Sequence, residues 1–215
     1  MVVEGFDRLL VFADREHSAS LSYLTGFDPR FEEAMLIVGS VGDPLLLTGN
    51  ECVGMARAAP LEMRVELFQD FSLPSQPRDR SRQLGEILQS EGVGGGQVGM
   101  VGWRTYASPT MLDGPAYVVD EVRRVVGDPE LVTNATGMLI DPSGGLRVIN
   151  EVEQLAFFEW AACQTSQGVR NLLAGIQPGM SEREAVRLLE WNGMPLSCHL
   201  MLTAGERASL GLLSP

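Results

Sequence analysis

The stretch from Ala34 to Asn50 reads AMLIVGSVGDPLLLTGN and decides the class of fold. Two apolar runs, residues 34–40 and 44–50, are separated by Val41, Gly42 and Asp43. A connection this short joins antiparallel strands, because parallel neighbours need a crossover of about a dozen residues. The stretch therefore predicts a β-hairpin, and any sheet that contains it has at least one antiparallel pair.

Apolar runs on either side of the hairpin extend the pattern. Residues 8–14, 63–70 and 97–103 are short runs typical of strands, whereas residues 18–26 and 79–93 have helical spacing. This alternation predicts an α/β domain built on a mixed sheet. Turn-forming residues cluster at 75–77 and more strongly at 141–145. We place the domain boundary at the second cluster, which predicts one domain over 1–142 and another over 146–215.

The second domain begins with a helical pattern. Asn150 and Glu153 have capping-box spacing and predict a helix that runs to about Gly175. Ser181 and Glu184 repeat that spacing and predict a shorter helix from Glu182 to about Trp191. The run PLSCHLMLTAG, residues 195–205, reads as a strand. Near-helical spacing along the long helix predicts one buried face, formed by Val152, Leu155, Phe158, Ala162, Val169, Leu172 and Ile176.

Composition excludes several classes of protein. The chain has 16 basic and 28 acidic residues and a net charge of −12, which disfavours nucleic acid and anionic membranes as partners. The amino terminus has no signal-peptide pattern, and no apolar run is long enough for a membrane span. Three cysteines, at 52, 163 and 198, form no CxxC pair. These features predict a cytoplasmic protein, with Cys163 and Cys198 interpreted as core residues.

Two segments carry a family resemblance. SYLTGF, residues 22–27, resembles the segment that follows the first strand in the creatinase/prolidase superfamily, which includes Xaa-Pro aminopeptidases. Residues 146–185, ending in PGMSEREA, are similar to the start of the catalytic domain of that family. The resemblance implies a mixed-sheet, ribonuclease-H-like amino-terminal domain, followed by the first helices and strand of a pita-bread α+β domain.

The resemblance also implies a chemistry. Metallopeptidase members hold two metal ions through two aspartates, a histidine and two glutamates, and the ions activate a bridging hydroxide. In this chain no aspartate follows Asp141, and Glu206 is the only acid after Glu190. We therefore assign no catalytic residue and no metal ligand, and expect two divalent ions (manganese, cobalt or zinc) only with a downstream segment. The chain is interpreted as a fragment of a metal-dependent Xaa-Pro peptidase-like hydrolase that is inactive alone.

Two histidines are the candidate ligand-binding residues. On the predicted strand 195–205, His199 would share a face with Ser197 and Met201 and is the substrate-binding candidate. A packed or exposed histidine with no role is the simpler alternative. His17 follows the first strand. It could lie at the mouth of a pocket or in a solvated loop, and the sequence leaves both alternatives open. If Gly205 matches a glycine of the family, Leu212 replaces the histidine that contacts substrate there.

Three functional hypotheses remain at the level of sequence. The first is the hydrolase fragment, acting at full length on a small peptide or related molecule. The second is a non-catalytic binding or dimerisation module of the same superfamily, and the last is a metal-free hydrolase like creatinase. A homodimer is expected under the first two. The long helix and residues 195–205 are expected to leave an apolar patch open, so the chain alone should self-associate.

Overall fold

The computed structural model describes Met1 and residues 4–215. These residues form two compact units, Met1–Ile149 and Asn150–Pro215, here called unit 1 and unit 2. Unit 1 contains strands β1 (Arg8–Ala13), β2 (Ala34–Gly39), β3 (Leu45–Thr48), β4 (Arg64–Leu67), β5 (Val98–Val101) and β6 (Val132–Asn134). Its helices are α1 (Ala19–Thr25), α2 (Val53–Arg57), α3 (Leu84–Ser90), α4 (Ala116–Val126) and α5 (Gly137–Ile140).

The described strands of unit 1 make one mixed sheet in the order β4-β3-β2-β1-β5-β6. Strand β2 is antiparallel to both β1 and β3, whereas β1, β5 and β6 are parallel neighbours, as are β3 and β4. Ala34 pairs with Thr48, so β2 and β3 form the predicted hairpin. The predicted α/β class with a mixed sheet is confirmed.

Helices cover both faces of this sheet. Alternate residues of β1 point to opposite faces, which places Leu10 and Phe12 in one core with α3 and α4. Leu9 and Val11 lie in the other core, with α1, α2 and α5. The five strands predicted from the sequence are confirmed. Helix α4 was missed, although its buried residues recur at helical spacing and Gly127 caps it in the left-handed region.

Unit 2 is mostly helical. Helix α6 (Val152–Gly175) and helix α7 (Glu182–Arg187) confirm both predicted helices, although α7 ends before Trp191. The Ser181–Glu184 capping box is confirmed, with the Glu184 backbone N–H donating to Ser181 Oγ at 3.3 Å. The box at the start of α6 lies one residue later than predicted. There the Glu151 backbone N–H donates to Gln154 Oε1 at 2.9 Å.

Two predictions for unit 2 are wrong. The described residues 195–204 have no regular structure, and a 3₁₀ helix follows at Gly205–Leu210, so the strand predicted over 195–205 is absent. A strand needs a neighbour to pair its backbone groups, and the described part of unit 2 contains none. No residue of α6, all of which is described, is buried. Large apolar side chains of α6, among them Leu155, Phe158 and Val169, are exposed, so the expected open apolar patch is present.

No helix among the described residues is both long and apolar enough to cross a membrane.

Candidate functional site

The carboxyl ends of β1 and β5 lie side by side in unit 1. These strands are parallel neighbours, with Val11 paired to Val101. The chain leaves β1 for α1 on one face of the sheet, and after β5 it reaches α4 on the other face. In α/β proteins, the strand ends where connections diverge in this way are a common place for a ligand-binding crevice. We call this end of the sheet, with the residues that follow β1 and β5, the switch-point crevice.

His17 and Trp103 meet in the switch-point crevice. Their rings stack with centroids 3.8 Å apart and planes 18° from parallel. Asp14, the residue after β1, lies 2.9 Å through Oδ1 from His17 Nδ1 and accepts the His17 backbone N–H at 2.8 Å. About a third of the His17 side chain is exposed, so the imidazole reaches solvent. The pocket mouth and the solvated loop both stay predictions for His17.

Asp113 shapes the loop that carries Trp103. Its buried carboxylate accepts the backbone N–H groups of Trp103 and Arg104 at 3.0 and 2.7 Å, and it also accepts the Tyr106 hydroxyl. Burial alone would raise the pKa of Asp113, but these hydrogen bonds outweigh it and hold the pKa below its ordinary value. Gly102 lies against this side chain and leaves no room for a Cβ. The carboxylate therefore fixes the Trp103 wall of the crevice.

Glu33 adds a second acid beside Asp14. Ala13 pairs with Ala34 in antiparallel register, which brings Asp14 and Glu33, the residues just beyond this pair, together at one end of the strands. Burial raises the pKa of Glu33 and the charge of Asp14 raises it further, although a hydrogen bond from Tyr117 at 2.7 Å acts in the opposite direction. The crevice thus combines carboxylate acceptors with an imidazole, which suits binding of a cationic or hydrogen-bond-donating group.

The sequence candidate His199 lies elsewhere, in unit 2. It is exposed in the irregular segment 195–204, so the strand face that would align it with Ser197 and Met201 does not form. Unit 2 has an apolar cavity of about 590 Å³ between α6, α7 and residues 190–202. Ser197 and Met201 line this cavity and His199 does not. A substrate-binding role for His199 stays a prediction.

The described residues do not supply the set of metal ligands that the resemblance implies. Within Met1 and residues 4–215, no group of three or more histidine, cysteine, aspartate or glutamate side chains is arranged to hold a metal ion. Leu212, which would replace a family histidine, has an exposed isobutyl group that can neither ligate a metal nor donate a proton. No catalytic step through a metal is derived for this chain.

The three cysteines are free and differ in exposure. Cys163 and Cys198 are exposed, so their interpretation as core residues is wrong. Cys52 is buried and its thiol donates to the Pro29 carbonyl at 3.0 Å. Burial and the neighbouring Glu32 raise the pKa of Cys52 to about 12, so the thiol stays protonated at neutral pH.

We expect thiol labelling to separate these cysteines. At pH 8 in native buffer, Ellman's reagent should react quickly with Cys163 and Cys198 and leave Cys52 unmodified, because the buried thiol is protonated and inaccessible. All three should react in 6 M guanidinium chloride. A Cys163→Ser/Cys198→Ser variant isolates the slow thiol, and fast native labelling of that variant would contradict the burial of Cys52.

The fold defines a class of protein: it is shared with solved prolidases, dipeptidases and X-Pro aminopeptidases. A prolidase from Thermococcus sibiricus matches with a TM-score of 0.58 and 17% identity, over 88% of this chain and 45% of that one. A dipeptidase from Pyrococcus horikoshii matches with a TM-score of 0.57 and 20% identity, over 88% and 46%. An X-Pro aminopeptidase from Thermotoga maritima matches with a TM-score of 0.57 and 14% identity, over 86% and 45%.

These likenesses confirm the predicted resemblance at the level of the fold. The chain spans less than half of the length of each of these three solved structures. No family model and no curated protein sequence matches it.

Proposed function

We propose that this chain is the amino-terminal part of a metal-dependent, Xaa-Pro peptidase-like hydrolase. The observation that carries the proposal is the extent of the structural match. Unit 1 ends at Ile149, yet the likeness to prolidases covers 88% of the 215 residues and so extends into unit 2. In this proposal residues 1–142 are the creatinase/prolidase amino-terminal domain, and residues 146–215 begin the pita-bread catalytic domain.

In this proposal a downstream segment binds the metal ions and this chain contributes contacts to the substrate. Two aspartates, a histidine and two glutamates of that segment would hold two divalent ions, which lower the pKa of a bound water. This chain would contribute the switch-point crevice, where Asp14 and Glu33 can accept hydrogen bonds from a small peptide. The 215 residues alone are expected to be inactive. We place the protein in the cytoplasm, since free thiols suit a reducing compartment.

The proposal is tested by reading the gene beyond the codon for Pro215 and expressing both forms. We expect an open frame that encodes the five metal ligands, and hydrolysis of an alanyl-proline dipeptide by the longer form with Mn²⁺. Removal of the metal by a chelator should abolish that activity, and the 215-residue form should have none. A stop codon directly after Pro215, or a longer form that neither binds Mn²⁺ nor cleaves the dipeptide, would overturn the proposal.

A non-catalytic binding module is the second candidate. The observation that favours it is that Asp14, His17, Glu33, Trp103 and Asp113 all belong to unit 1, so the switch-point crevice needs no residue of unit 2. A stop codon after Pro215 would favour this function over hydrolysis.

A further inference from the structure

Asn192 is followed by Gly193, and the sequence contains no other Asn-Gly step. The backbone nitrogen of a residue that follows asparagine can attack the side-chain Cγ, release ammonia and close a five-membered succinimide ring. Glycine hinders this attack least, because it has no Cβ. The reaction needs an asparagine side chain that bends towards the next peptide, and a backbone N–H that is not engaged in a hydrogen bond.

The structure meets both conditions at residues 192–194. Asn192 is exposed in the irregular segment after α7, and Gly193 has a φ of +85° with no atom beyond its chain neighbours within 4 Å of the place of a Cβ. In the described part of the chain, the Gly193 N–H has no hydrogen-bond acceptor. Asn192 Oδ1 accepts the Met194 backbone N–H at 3.2 Å, which folds the side chain over the intervening peptide. This hydrogen bond also withdraws electrons from Cγ and makes it a better electrophile.

The single Asp-Gly step of the sequence, Asp113–Gly114, is the opposite case. An aspartate before glycine can form the same succinimide. Asp113, however, is 4% exposed, and its carboxylate accepts two backbone N–H groups and the Tyr106 hydroxyl. These donors keep the carboxylate ionised and fixed in place, and an ionised carboxylate is a poor electrophile. The structure therefore protects residue 113 and leaves residue 192 open to the reaction.

We propose that Asn192 is a site of spontaneous deamidation. The Gly193 nitrogen loses its proton to solvent and forms a bond to Asn192 Cγ, while the bond from Cγ to Nδ2 breaks and the side-chain nitrogen leaves as ammonia. Water then opens the succinimide at either carbonyl and gives aspartate or isoaspartate. The reaction consumes only water and involves no oxidation or reduction. This site goes beyond the hydrolase proposal and does not depend on it.

Deamidation changes the wall of the unit 2 cavity, because Asn192 lines this cavity together with Gln164 and Glu190. Asn192 Nδ2 donates to Gln164 Oε1 at 3.3 Å, and a carboxylate has no proton to donate there. The product adds a second carboxylate to the cavity wall, so the net charge of the chain changes from −12 to −13. Isoaspartate also adds one carbon atom to the backbone of the segment that covers the cavity.

The experiment follows the tryptic peptide 188–207 by mass spectrometry while the 215-residue chain is kept at 37 °C and pH 8. We expect Asn192 to be replaced by aspartate and isoaspartate, with isoaspartate detected by enzymatic methylation. Gly193→Ala should slow the reaction about tenfold, because a Cβ hinders the attack. The helical circular dichroism of this variant should equal that of the original chain, since the site is exposed. The remaining asparagines are internal controls that should react far more slowly: Asn50, Asn134, Asn150 and Asn171.

The same incubation in 6 M guanidinium chloride tests the role of the structure. Asn192 should deamidate within about threefold of its native rate, whereas isoaspartate should form at Asp113 only in the denatured chain. An intact Asn192 in the native chain, under conditions that modify it in the denatured chain, would overturn the proposal. So would a reaction at Asn192 that is no faster than at the other asparagines, or a product without isoaspartate, which would exclude the succinimide.

Discussion

Asp113→Asn is expected to lower the free energy of unfolding of unit 1 by about 3 kcal/mol. The buried carboxylate accepts two backbone N–H groups, the Tyr106 hydroxyl and the Arg104 guanidinium, and an amide offers a single oxygen in its place. Its NH₂ group would face other donors. The measurement is urea unfolding followed by the fluorescence of Trp103, in a Trp160→Phe/Trp191→Phe background where Trp103 is the only tryptophan.

Asp120→Asn is the matched control, since Asp120 is exposed on α4 and its change should stay within about 0.5 kcal/mol. The Asp113 effect should also depend on pH. Because the pKa of Asp113 is lowered in the folded state, the carboxylate stabilises unit 1 above its ordinary pKa of about 3.9 and loses this effect as pH falls through the folded value. A difference between Asp113→Asn and the original chain that is as large at pH 2.5 as at pH 7 would contradict this assignment.

Glu32→Ala is expected to lower the free energy of unfolding of unit 1 by a similar amount, about 3 kcal/mol. Glu32 is 2% exposed, and its carboxylate accepts the backbone N–H groups of Glu51 and Cys52 at 3.2 and 2.9 Å, just before α2. Alanine leaves both donors buried without these acceptors. Glu32→Gln should cost less, because the amide oxygen can keep one of the two hydrogen bonds. The same fluorescence-detected unfolding measures both variants.

The rate of thiol labelling at Cys52 measures the local effect of Glu32→Ala on the turn before α2. Loosening of the turn before α2 should speed the reaction of this thiol in Glu32→Ala, in a background where Cys163 and Cys198 are serine. Glu62→Ala, which removes an exposed acid from the same unit, should change neither stability nor labelling. Equal stability of Glu32→Ala and Glu62→Ala would show that the buried Glu32 carboxylate does not stabilise unit 1.

Local sequence pattern was enough to predict most strands of unit 1 and the two α-helices of unit 2. The hairpin of β2 and β3, the five predicted strands and the starts of α6 and α7 depend on short-range signals: apolar runs, a three-residue turn and capping residues. Helix α4, which was missed, has such signals too, in its apolar spacing and in Gly127. Strand β6 has three residues, too few for periodicity to indicate a strand.

The switch-point crevice was not predictable in the same way. His17 and Trp103 are 86 positions apart and stack because β1 and β5 are parallel neighbours, which neither local segment specifies. The available signal was position: Asp14 and Trp103 each follow the end of a strand. The roles of Asp113 and Glu32 had no local signal, because each depends on backbone N–H groups distant in sequence.

The sequence by itself determined the class of fold, the mixed sheet and the helical start of unit 2, since turn length, apolar period and capping act over a few neighbouring residues. Only the tertiary structure decided which residues meet in the crevice and which apolar faces stay open. Residues 195–205 illustrate the reason: their composition suits a strand, but a strand forms only where a neighbour pairs its backbone, and the described part of unit 2 offers none.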